Sequence, residues 1–245
     1  MTNVKVHCLM RSGSTFIQRF YLNACKLQKT PFYTVKTSKS FNGNGCLCPV
    51  RLLPLGGTDI NFNETKINKD TDYIVQLRDP RDVLSSQYFY FYNCVDAGSD
   101  YKKEAKQYVR NHSIDDYVKS DIGGEFLFNR YSIISKIKDY QNINFITYED
   151  MVLNFAQWIP IATKPLGLNK ESNKTLFDLF SKEFKNVKET PAQVIKNGLR
   201  KSHMRKVYPG DHREKLTKKS INYLNDKLND SLSFMQSISI NYKYL

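Results

Sequence analysis

Three short segments of this chain carry residue types suited to holding a polyanion. In Arg11-Ser12-Gly13-Ser14-Thr15 the small residues let successive backbone N–H groups converge on one point, the hydroxyls add donors, and a following helix would add its N-terminal partial charge. The usual triphosphate loop, G-x-x-x-x-G-K-[ST], is absent, and the basic residue precedes the glycine instead of following it. An ordinary Ser/Gly turn before a helix fits the same residues. Arg78 and Ser86, eight positions apart after an apolar run, can meet on one phosphate, the arginine by a forked charge-assisted contact and the serine by its hydroxyl. A surface ion pair of Arg78 with Asp79 or Asp82 is the plainer reading. Arg205-Lys206, shortly before Gly210-Asp211, would close over a bound anion, or else belongs to a solvated run of charge.

These segments need elements to carry them. Strand-like and helix-like runs alternate from the start, the pattern of a central parallel β-sheet flanked by helices, and the α/β fold class follows. Residues 4–9 read as a strand, 11–14 as a tight turn and 15–27 as a helix with Phe16, Ile17, Phe20, Tyr21 and Ala24 on one face, a P-loop-like strand-loop-helix. A second strand is expected at 72–77, with Pro80 in the first turn of a helix reaching about residue 92. A third is expected at 143–147, before Tyr148-Glu149-Asp150 and another helical run. Residues 40–68, rich in Gly and Asn, read as loop around a short strand near 50–55. Further helices are expected at 101–109, 114–119, 125–140, 174–184 and 215–234, with 196–219 a basic loop.

The chain has 245 residues, 40% of them hydrophobic, about the length of one α/β domain over residues 1–245. Against 24 Asp and Glu stand 37 Lys and Arg, a formal charge of +13 that favours anions: nucleic acid, a membrane surface or a small polyanionic cofactor. No run approaches the ~20 apolar residues of a membrane span, and the N-terminus lacks the apolar core of a signal peptide, so a cytoplasmic address is expected. Five cysteines do not suggest a disulfide framework, and Cys46 and Cys48 have no second pair at metal-ligand spacing, so no metal is expected.

Together the segments resemble one family. Leu9-Met10-Arg11-Ser12-Gly13-Ser14-Thr15-Phe16 is similar to the phosphosulfate loop Y-P-K-S-G-T-T-W of the sulfotransferases that use 3'-phosphoadenosine-5'-phosphosulfate (PAPS). Arg78-Asp79-Pro80-Arg81-Asp82-Val83-Leu84-Ser85-Ser86 resembles their 3'-phosphate motif R-N-P-K-D-V-x-x-S. Arg205-Lys206-Val207-Tyr208-Pro209-Gly210-Asp211-His212 resembles R-K-G-x-x-G-D-W, and Tyr148-Glu149-Asp150-Met151 resembles Y-E-D-M. The four stand in the family's order. The resemblance implies that Arg11 and the 12–15 loop hold the phosphosulfate, that Arg78, Ser86, Arg205 and Lys206 hold the 3'-phosphate, and that Phe16 and Tyr148 flank the adenine, with Phe184 as a looser match. It implies PAPS as cofactor, adenosine 3',5'-bisphosphate (PAP) as product and sulfuryl transfer to a small-molecule or carbohydrate acceptor, with neither nucleic acid nor membrane as partner.

In-line displacement at sulfur needs charge stabilisation on the leaving phosphate, for which Arg11 is the candidate, and a base for the acceptor's proton. The family's cytosolic members have a His in a K-T-H segment, whereas no His lies here between Arg11 and Arg78. Asp59 and Glu64 are the catalytic candidates for the base; Lys36-Thr37-Ser38 is similar to K-T-H with Ser for His, and His7, His203 and His212 could approach through folding. A kinase would share the strand-loop-helix but predicts a Walker lysine and an Asp for Mg²⁺, neither of which stands at its expected place. A basic nucleic-acid-binding protein would suit the charge and leave the motif spacings to coincidence. A family member that binds cofactor without turnover is the third alternative.

Overall fold

Strands form here where apolar residues run together without helical spacing, and the clearest of them lead straight into helices. The computed structural model describes residues 3–51, 67–93, 100–185 and 208–239. Strands β1 (Asn3–Cys8), β2 (Phe32–Tyr33), β3 (Gly45–Arg51), β4 (Asp72–Leu77) and β5 (Ile143–Thr147) make one sheet, ordered β2-β3-β1-β4-β5. Every pairing in it is parallel.

The helices are α1 (Ser14–Gln28), α2 (Pro80–Asn93), α3 (Asp100–Asn111), α4 (Ile114–Tyr117), α5 (Phe126–Ile137), α6 (Tyr148–Leu153), α7 (Phe155–Thr163), α8 (Lys170–Phe180), α9 (Lys182–Lys185), α10 (His212–Lys215), α11 (Lys218–Lys227) and α12 (Asn229–Ile238). They cover both faces of the sheet. Val4, Val6 and Cys8 of β1 turn towards a layer with Ile17, Phe20 and Tyr21 of α1, Trp158 of α7 and Phe180 of α8. Tyr73, Val75 and Leu77 of β4 alternate into the opposite layer with Leu84 of α2, Tyr131 of α5 and Met235 of α12. A strand buried on both faces reads as a continuous apolar run, which is why β4 was the clearest strand in the sequence. Tyr21 closes its layer by donating its hydroxyl to the Ala162 carbonyl at 2.7 Å, tying α1 to α7.

Three boundaries differ from expectation. The strand read near 50–55 begins at Gly45, because Cys46 and Cys48 fill core positions beside β1, and residues 52–55 of that reading lie outside the described residues; the β1–β3 register slips between Lys5 and His7, opposite the stretch that contains Pro49. Helix α8 starts at Lys170, since the Asn169 side chain accepts the Ser172 N–H and caps it. The expected helix 215–234 breaks at Leu228, which leaves helical conformation between α11 and α12, and α10 occupies part of the expected basic loop.

Candidate functional site

Strand β1 is central, and the chain passes first to β2 and β3 on one side and then to β4 on the other. The crevice at the carboxyl ends of β1 and β4 is therefore the switch point where open parallel sheets bind ligands. The loop from β1 into α1 is folded tightly there. Arg11 and Gly13 take left-handed backbone conformations, with φ of 65° and 84°. Ser12 donates both its N–H (3.2 Å) and its hydroxyl (2.6 Å) to the Leu9 carbonyl, so that hydroxyl shapes the loop from within. Gln76 of β4 braces it by donating to the Ser12 carbonyl at 3.3 Å. Ser14 and Thr15 form the first turn of α1, whose leading N–H groups lack helical partners by construction, and Thr15 is exposed.

Arg78 follows β4 directly and is only 5% exposed. Its Nη1 donates to the Arg11 carbonyl at 2.9 Å, and its guanidinium lies 4.3 Å from the centre of the Tyr148 ring. The Tyr131 hydroxyl donates to the Arg78 carbonyl, and Arg78 Nε is buried with no hydrogen-bond partner among the described residues. Arg11 Nε in turn donates to Ser86 Oγ at 3.0 Å, and its guanidinium lies 4.9 Å from the Tyr90 ring centre. The fold thus gathers Arg11, Ser12, Gly13, Arg78, Ser86 and Tyr148 at one end of two adjacent strands. Of the plainer pairings, Asp79 binds Arg81 at 2.6 Å, while Asp82 stands 3.7 Å from Arg78.

The segment after β5 packs against the loop. A Cβ on Gly13 would meet the Met151 methyl at 3.1 Å and the Tyr148 ring at 3.3 Å, so the absence of a side chain admits this approach. Glu149 beside them has no solvent exposure, accepts the Asp79 N–H at 2.9 Å, and leaves Oε2 without a partner among the described residues. Burial, with the nearby Asp79 charge, pushes its carboxyl up to about 8. Neither Glu149 nor the bracing Gln76 was assigned a role from sequence; the quoted Y-E-D-M contains the first, but its partner is in another motif.

Behind the loop, Phe16 sits in an aromatic cluster, its ring centre 5.0 Å from Phe184, 5.4 Å from Phe180 and 5.9 Å from Phe155. The loosely matched Phe184 therefore does lie beside Phe16. Tyr148 belongs to the same buried layer and lies against Gly13 and Arg78. Asp82 gathers the approach from the C-terminal side: it accepts the Gly210 N–H at 2.7 Å, the His212 N–H at 3.0 Å and His212 Nδ1 at 2.7 Å.

One other candidate, His7, is not brought here. His7 is fully buried in β1, its ring 5.9 Å from Tyr73, with burial and then the Lys5 charge lowering it to about 3. Lys36-Thr37-Ser38 lies in a 3₁₀ turn where Thr37 Oγ1 accepts the Thr34 N–H. Asp59, Glu64, His203, Arg205 and Lys206 lie outside the described residues. Among the described residues no three of His, Cys, Asp and Glu cluster as metal ligands, and Cys8, Cys25, Cys46 and Cys48 are buried free thiols.

The sequence model of a family described as "Sulfotransferase domain" matches residues 60–235, a stretch containing Arg78, Ser86 and Tyr148 but not the loop after β1. No curated protein matches the chain. Solved structures share the fold at low identity. Mouse sulfotransferase SULT7A1 complexed with PAP superposes with a TM-score of 0.62 at 15% identity, over 94% of this chain and 83% of that one. Retinol dehydratase in complex with androsterone and inactive cofactor PAP gives 0.57 at 15%, over 94% and 80%. Retinol dehydratase in a complex with retinol and PAP gives 0.57 at 17%, over 94% and 81%.

Proposed function

Because this chain belongs to the sulfotransferase domain family, we propose that it transfers the sulfuryl group of PAPS to a hydroxyl or amine of a small-molecule or carbohydrate acceptor. The observation that carries this reading is the convergence of two guanidinium groups on the crevice between β1 and β4: Arg78 held by the Arg11 carbonyl and Arg11 held by Ser86. Two cations fixed beside a helix N-terminus make an anion site.

In this reading the Ser12–Thr15 backbone, with the side chains of Ser14 and Thr15, holds the phosphosulfate, and Phe16 and Tyr148 face the adenine. Arg78 and Ser86 hold the 3'-phosphate together with Arg205 and Lys206. Arg11 stabilises charge on the departing phosphate; it remains protonated and acts through charge and hydrogen bonding, not as a proton donor. The buried, neutral His7 and the Asp82-bound His212 leave the acceptor's proton to another group, for which Asp59 and Glu64 are proposed. The buried free thiols support a reducing compartment, the cytoplasm, as the site of reaction.

Calorimetric titration of PAP without Mg²⁺ tests the proposal. One-to-one binding is expected, weakened about 100-fold in Arg78→Ala and markedly in Arg205→Ala, as follows from losing one or two charged hydrogen bonds. Binding of ATP or RNA in place of PAP would overturn it.

A further inference from the structure

Asp82 and Arg78 are buried together four residues apart, a placement in which carboxylate and guanidinium ordinarily close to a charge-assisted contact of about 2.8 Å. Here they stop at 3.7 Å. Asp82 is also held by three other donors. Its Oδ1 accepts the N–H (3.0 Å) and Nδ1 (2.7 Å) of His212, and its Oδ2 accepts the Gly210 N–H at 2.7 Å. A carboxylate only accepts, so its usual ionised form fixes the proton on His212 Nδ1. Although burial alone would raise Asp82, the His212 hydrogen bond and the Arg78 charge hold its carboxyl well below the usual range, so it stays an acceptor. Arg78 meanwhile spends Nη1 on the Arg11 carbonyl and keeps a buried Nε without a partner among the described residues.

We propose that His212 is a positioning residue of the cofactor site: by donating Nδ1–H to Asp82 Oδ1 it fixes the orientation of the carboxylate, so that Oδ2, which accepts the Gly210 N–H, stays 3.7 Å from Arg78 and leaves the guanidinium open to an incoming phosphate. The ligand's identity rests on the sulfotransferase reading; the hold on Arg78 does not. The family resemblance places a tryptophan at the position of His212, so the device belongs to this chain's own residue.

Two substitutions separate the donor from packing. His212→Leu fills the space without a donor, and His212→Asn keeps an N–H close to where Nδ1 stands. PAP affinity is expected to fall about tenfold in H212L, a change of about 1.4 kcal/mol, and to return largely in H212N. The KM for PAPS should rise in H212L with little change in kcat, a split that general loosening of the fold would not produce. Should H212L prove unstable, His212→Phe carries the same expectation. A crystal structure of the donorless variant reads the device directly, with Arg78 closing on Asp82. Equal PAP affinity in H212L and H212N, or an Arg78–Asp82 separation unchanged in the donorless variant, overturns the inference. Failure of the unsubstituted protein to bind PAP sinks the sulfotransferase reading instead, and the crystallographic arm still decides the role of His212.

Discussion

Arg11 combines a left-handed backbone, which costs a non-glycine residue about 1 kcal/mol or more, with a side chain fixed by Ser86 and Tyr90. Strain kept at a charged residue beside a binding crevice fits a group held ready for the reaction. Arg11→Ala should therefore lower kcat about 10²- to 10³-fold, the usual effect of removing one preorganised donor from developing charge, with a smaller change in the KM for PAPS. Arg11→Lys should recover only part, because the ammonium restores charge without the fork; steady-state kinetics with PAPS measures both. Glu149 makes a separate prediction about pH. Its folded value of about 8 lies above the ordinary 4.5, so between those values the unfolded chain has released a proton that the folded chain keeps. Its stabilising contribution is complete below about pH 4.5 and is lost as pH rises towards 8. Glu149→Gln keeps an oxygen for the Asp79 N–H but not the titration. Its Tm should stay near wild type at pH 5 and exceed it by several degrees at pH 8, as thermal melts across that range would reveal. Arg11, Arg78 and Ser86 were legible because each lies within one short motif. Glu149 and Gln76 were not, since their partners Asp79 and Ser12 stand 70 and 64 positions away and only the sheet brings them together.

The β1–α1 loop works as an element because it is pinned from three directions: inward by Ser12, from below by Gln76 and from the side by Tyr148 and Met151. Gly13→Ala strains it twice, placing a Cβ at φ 84° and within 3.1 Å of the Met151 methyl. The backbone strain alone costs roughly 1–2 kcal/mol, so Tm should fall by about 2–8 °C. PAP affinity should fall with it, because the N–H groups no longer converge; melting and calorimetry on one sample test both. Strands β1, β4 and β5 and helices α1 and α2 were readable from apolar runs followed by turn residues. The early start of β3 was missed because it is built on Cys46 and Cys48, whose sequence spacing draws attention as chemistry rather than as packing. The break at Leu228 is set where α11 and α12 meet the sheet's second layer, contacts that local spacing does not encode.

At the scale of the whole molecule, one parallel sheet pairs β1 with β4, the strands that lead into the two arginines, and the chain carries a net formal charge of +13. A ligand bound only by the folded state raises its stability by mass action. PAP at 100 times its Kd should contribute about 2.7 kcal/mol and lift Tm by roughly 5–10 °C. The shift should shrink as ionic strength rises and be indifferent to EDTA; differential scanning fluorimetry over a salt series distinguishes these outcomes. The alternating order of elements made this architecture visible in the sequence, while the acceptor was not, because no motif of the chain carries a spacing signal for it. The aromatic cluster behind Phe16 also has an optical consequence. Trp158 is the chain's single tryptophan, 1% exposed, its ring centre 5.7 Å from Phe155 and 6.4 Å from Phe16. Emission excited at the indole band therefore comes from one shielded fluorophore one ring away from the β1–α1 loop, and ligand-induced motion of Phe16 would be visible in intensity and lifetime without any attached dye.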